Sequence, residues 1–203
     1  MLHHEISGNG KKPLVLLHGF MENTTIWDEM EAHLSKDFTL IKIDLPGHGK
    51  SKVYQEIHTV ELMAEKVKEV IDALKLEKIN LLGHSLGGYV SLAFAEKFPE
   101  ILESMTLFFS TTVADDDEKK QIRRRSIAVI DENFETFVKT SIPNLFSNNE
   151  KDILEGKIEL AKNIAKSTDK EGVKAAQLGM AERPDRTEIL ENLDAKILII
   201  AGK

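Results

Sequence analysis

Five short, mostly apolar runs punctuate the chain, at residues 14–17, 39–43 (with Thr39 and Lys42), 79–82 (with Asn80), 105–109 (with Thr106) and 197–201. A strand that buries one face alternates apolar and polar side chains, whereas a strand buried on both faces is apolar almost throughout. The runs therefore predict an α/β fold, a mostly parallel sheet whose intervening amphipathic stretches are the flanking helices. Residues around Ile6 are expected to add an N-terminal strand, with Gly8-Asn9-Gly10 as its turn.

Between the second and third runs, Val60, Met63, Ala64, Val67, Val70, Ile71 and Leu74 recur at steps of three and four. They form the apolar face of a helix for which Thr59 is the N-cap. Shorter helices are predicted over residues 26–34 and 86–97, the second stopped by Phe98-Pro99. Residues 113–184 have no strand-like run, carry many charges and space their apolar side chains as helices do. They are expected to be a helical cap inserted into a core formed by residues 1–112 and resumed at 185–203. Asp28, Glu29 and Glu31 read as a solvated helix face.

The 203 residues are enough for one domain with a substantial core. With 27 Lys and Arg against 34 Asp and Glu, the net charge is −7, and without a basic face a nucleic-acid partner is not expected. The absence of cysteine excludes disulfides, thiolate metal sites and a cysteine nucleophile, and suits a reducing compartment. No apolar run is long enough to span a bilayer, and the N-terminus lacks the apolar core of a signal peptide. The expected address is the cytoplasm, with no membrane partner. No cofactor is implied, and no histidine pair stands at a metal ligand's helical spacing.

The sharpest chemical signal is Gly83-His84-Ser85-Leu86-Gly87, placed where a buried strand runs directly into a helical pattern. Glycines on both sides let the chain turn sharply and lift Ser85 above the sheet as a nucleophile elbow. The start of the following helix directs free N–H groups toward an oxyanion forming there. A phosphate-binding loop fits less well, because no lysine follows the glycines. Leu16-Leu17-His18-Gly19-Phe20 ends the first run, where acyl transfer draws a second N–H donor. The backbone of Phe20 serves that role beside Leu86. His18 reads as a structural ring bonding this loop, and Asp44-Leu45-Pro46-Gly47-His48-Gly49 as a turn.

These motifs, in this order, resemble the α/β-hydrolase superfamily, in particular its small esterase-like members with a helical cap. The segment 180–186, followed by the apolar run 197–201, is similar to that family's return from cap to core. The resemblance implies that Ser85 is the nucleophile, with Phe20 and Leu86 as backbone oxyanion donors. The implied substrate is a small carboxylic ester or related acyl compound, reached through a pocket that Phe134, Phe137, Leu145, Phe146 and Met180 line. Carbon–carbon bond hydrolysis, a lyase reaction and a non-catalytic ligand receptor are the alternatives on the same scaffold.

In that family the acid and histidine of the triad follow the serine. All seven histidines here precede Ser85. The triad acid and histidine are therefore expected outside this chain, in roughly 45–55 further residues or in a second polypeptide. The 203 residues alone are expected to be nearly inactive, since a serine without a base is a poor nucleophile. Asp115, Asp116 and Asp117 read as a solvated linker rather than the acid, and His84 is expected to point away from its neighbour.

Overall fold

A computed structural model describes residues 1–202. Six strands, β1 (His4–Ser7), β2 (Lys12–Leu17), β3 (Phe38–Ile43), β4 (Ile79–His84), β5 (Leu102–Phe108) and β6 (Lys196–Ile200), form one sheet. Their order is β1-β3-β2-β4-β5-β6. β1 is antiparallel to β3, and all other pairings are parallel. The apolar runs have the expected cause, a helical layer on each face. Val15, Leu17, Ile41, Ile43 and Leu81 pack beneath α2 (Val60–Ala73) and α3 (Leu86–Lys97). Leu14, Leu16, Leu40 and Leu82 face the other way, onto Trp27 and the apolar side of α1 (Asp28–Leu34).

The turn at 8–10 follows β1, with Gly8 at a left-handed φ of +80°, but it does not lead into a β1–β2 hairpin. Both edges of β2 are occupied by β3 and β4, so β1 takes the outer edge of β3, Ser7 opposite Leu40. The helix predicted over 26–34 begins earlier, as a 3-10 turn at Thr24–Trp27 capped by the Asn23 side chain, before α1. Its acidic face is also not merely solvated. Asp28 and Glu31 bond the Lys42 ammonium at 3.1 and 2.8 Å. Burial alone would lower the pKa of Lys42, yet these two carboxylates hold it raised.

The inserted segment carries α4 (Asp117–Ser141), α5 (Glu155–Lys166) and α6 (Lys170–Glu182). α4 is kinked at Asn133, whose side chain accepts from Thr136 N–H at 2.9 Å and restarts the helix. The cap has its own apolar cluster, with Ile130, Phe137, Val138, Ile142, Ala165 and Val173, which Met21 joins from the core. A short α7 (Thr187–Asn192) then returns the chain to β6, an edge strand on which Leu198 and Ile199 are exposed. Among the described residues no helix is long and apolar enough to cross a membrane.

Candidate active site

Ser85 joins β4 directly to α3 with φ 49° and ψ −110°, a conformation that costs a non-glycine residue about 1–3 kcal/mol. Its N–H donates to Phe108 O at 3.0 Å, and its carbonyl accepts from Gly88 N–H and from Ser110 Oγ. The surroundings require the flanking glycines. A Cβ on Gly83 would lie 2.3 Å from Gly87 O, and one on Gly87 would lie 2.2 Å from Leu17 O. The second approach seats the first turn of α3 against the end of β2, where the loop of His18, Gly19 and Phe20 begins. Leu86 is the first residue of α3, so its N–H has no partner within the helix.

His18 is fully buried. Its Nε2 accepts from Leu45 N–H at 2.9 Å, which leaves Nδ1–H to donate to Gly19 O at 2.7 Å. Asp44 organises the neighbouring turn, accepting from Thr24 N–H at 2.8 Å and Lys50 N–H at 2.9 Å. His48 and His58 both direct Nδ1 at Pro46 O, at 3.0 and 3.1 Å. Burial lowers the pKa of His18, His48 and His58, that of His48 to about 3.

These neutral rings set an acid limit to the fold. Below about pH 6.5 the unfolded chain binds protons that the folded chain refuses, so stability is complete above that pH and is lost as pH falls. Between about pH 6.5 and its folded value near 3, His48 contributes a slope of about 1.4 kcal/mol per pH unit, and His18 and His58 act in the same direction. Urea unfolding measured from pH 6.5 to pH 4.5 should show this decline, with one proton's share of the slope missing in His48→Gln. An equally steep decline in that variant would show that His48 does not carry it.

Ser85 opens onto a cavity of about 550 Å³ between the core and the cap. Phe20, Glu22, His84, Tyr89 and Phe109 line it from the core side. The cap contributes Arg123, Ile142, Leu145, Phe146 and Met180. Leu145, Phe146 and Met180 thus line the same cavity as Ser85. Phe134 and Phe137 do not. Both follow the kink in α4 and turn into the cap's own cluster, Phe137 also lining an adjoining space of about 370 Å³ that shares Phe20, Met21, Arg123 and Leu145 with the Ser85 cavity. His84, expected to point away, lines the same cavity as Ser85, with Nδ1 held 2.9 Å from Glu22 Oε2.

The aspartates before α4 are not uniformly solvated either. Asp116 caps α4, accepting from Lys119 N–H at 2.8 Å. Asp115 is buried and bonds Arg183 at 2.8 Å and Arg123 at 2.5 Å. Burial would raise its pKa, but the two guanidinium groups outweigh that and hold it low. Sequence reasoning missed Glu22, Tyr89 and Arg123 at the cavity. Only Arg123 stood in a conspicuous pattern, a run of three arginines that reads as a charged helix face. Among the described residues no cluster of three or more histidine, aspartate or glutamate side chains is arranged to hold a metal ion.

A parallel sheet with one antiparallel edge strand, a strained serine between strand and helix, and a helical cap over it define a hydrolase scaffold. The chain belongs to the alpha/beta hydrolase fold family, whose model matches residues 12–153. A solved structure of a thermophilic esterase from Thermogutta terrifontis is 35% identical, with a TM-score of 0.93 over 99% of this chain and 74% of that one. A putative 2-succinyl-6-hydroxy-2,4-cyclohexadiene-1-carboxylate synthase of Bacillus subtilis is 29% identical over 96% of this chain and 74% of its own length. An uncharacterised protein of Mycobacterium tuberculosis is 35% identical over 102 residues, half of this chain, which span 30% of that protein.

Proposed function

We propose that this protein is a serine hydrolase acting on a small carboxylic ester or related acyl compound through a Ser85 acyl-enzyme. The observation that carries the reading is the left-handed Ser85 at the mouth of an apolar cavity, flanked by Phe20 and by the N-terminus of α3. Ser85 Oγ attacks the acyl carbon, and the charge that develops on its oxygen is met by the N–H groups of Phe20 and Leu86 and the helix dipole. The bond to the alkoxy group then breaks, the alcohol leaves with a proton, and water releases the acid from Ser85. Leu145, Phe146 and Met180 bound the space for the substrate's apolar part. The reading calls for a proton acceptor for Ser85, a role that none of the side chains described here is assigned. The 203 residues by themselves should turn over an ester slowly at most.

Mixing the protein with an excess of a short activated ester and measuring intact mass should reveal one acyl group, and peptide mapping should place it on Ser85. An acyl group elsewhere, or none during measurable turnover, overturns the covalent mechanism. The likeness to the Bacillus synthase over nearly the whole chain favours a second reading, a lyase-type elimination on the same scaffold. That reaction would proceed in the cavity without an acyl group on Ser85, so the same mass measurement separates the two.

A further inference from the structure

Glu22 joins the two loops that would supply the oxyanion donors. Its Oε2 accepts from Gly19 N–H at 2.5 Å and lies 2.9 Å from His84 Nδ1, a residue 62 positions further along the chain. His84 is the last residue of β4 and directly precedes Ser85, so whatever fixes its ring is tied to the elbow. Gly19 and Phe20 share one peptide group. Because that group is planar, the direction of Gly19 C=O dictates the opposite direction of Phe20 N–H.

Gly19 O accepts from His18 Nδ1–H at 2.7 Å and from Glu22 N–H at 3.3 Å, while Gly19 N–H is held by the Glu22 carboxylate. The residue before the Phe20 amide is thus bonded at both polar ends, twice by Glu22. The fit also leaves no room for a side chain at position 19. A Cβ there would lie 2.6 Å from Glu22 Oε2 and 2.8 Å from His84 Nδ1. Between Phe20 and Glu22, Met21 is buried and held at φ 59°, a conformation the loop keeps only if its ends are fixed.

We propose that Glu22 and His84 are a positioning pair, a hydrogen-bonded clamp between the 18–22 loop and the elbow that aims Phe20 N–H at the oxyanion site beside Ser85. The clamp rests on the serine-hydrolase reading for its purpose, but its geometry can be tested apart from that reading. Amide hydrogen exchange in the 203-residue chain reads it without turnover. Glu22→Ala should speed exchange at Gly19 roughly tenfold or more, whereas Glu22→Gln, whose amide oxygen can still accept, should stay near the parent rate.

In turnover of a short activated ester by the protein supplied with its proton acceptor, Glu22→Ala should lower kcat by about 10–100-fold with KM within about threefold, because a displaced donor is lost mainly in the transition state. Glu22→Gln should recover most of that loss. Unchanged Gly19 exchange in Glu22→Ala, or a Glu22→Gln variant as impaired as Glu22→Ala, overturns the clamp. Full turnover in Ser85→Ala would instead overturn the serine reading, and the Gly19 exchange rate would still decide whether Glu22 holds the loop.

Discussion

In the protein supplied with its proton acceptor, Ser85→Ala is expected to lower kcat for an activated ester by roughly a million-fold while leaving the melting temperature almost unchanged. The two halves of that result belong together. The hydroxyl is the only atom removed, and the bonds that set the elbow are made by the backbone: Ser85 N–H to Phe108 O, and Gly88 N–H and Ser110 Oγ to Ser85 O. Alanine bears the left-handed φ of 49° with the same Cβ, so the strain already present is neither relieved nor increased. Gly83→Ala makes the contrast, since its Cβ would collide with Gly87 O at 2.3 Å and distort the turn itself. Steady-state kinetics and a thermal melt on both variants separate chemistry from folding. Turnover by Ser85→Ala above about one part in a thousand of the parent rate would remove the nucleophile from the mechanism.

The parts of this architecture legible in the sequence are those written in neighbouring residues. Buried parallel strands appear as short, mostly apolar runs, and the elbow is visible because glycine alone fits where Gly83 and Gly87 approach backbone oxygens. Pairing across distance leaves no such trace. Nothing local to β1 shows that β3, not β2, has the free edge. Glu22 finds His84 across 62 residues, and Asp115 finds Arg183 across 68, so each reads in isolation as an ordinary surface charge. The cap phenylalanines fail for a related reason. Helical spacing shows that Phe134 and Phe137 share a face, but the kink at Asn133 decides that the face meets α5 and α6 rather than Ser85.

The buried aspartate that local reading misses should be the most costly surface-like charge to remove. Asp115→Ala is expected to destabilise the fold by about 3–5 kcal/mol, because it strands the Arg183 guanidinium without its counter-charge. Arg183 is only 4% exposed at its side chain, and its other contacts are to Met180 O, Val113 O and the Tyr89 ring, none of which is charged. Arg123 suffers less, since it is partly exposed and keeps Gln177 at 3.1 Å. For a chain of this length each kcal/mol moves the melting temperature by about 2–4 °C, so calorimetry should record a fall of roughly 6–20 °C. The pair's own contribution emerges from a cycle with Arg183→Met. The double variant should be less destabilised than the sum of the singles, because the stranded charge is gone and a side chain of similar length refills the space. Additive losses would mean that Asp115 and Arg183 act independently. A melting temperature of Asp115→Ala within a degree or two of the parent would mean that the junction between core and cap is held by packing rather than by this ion pair.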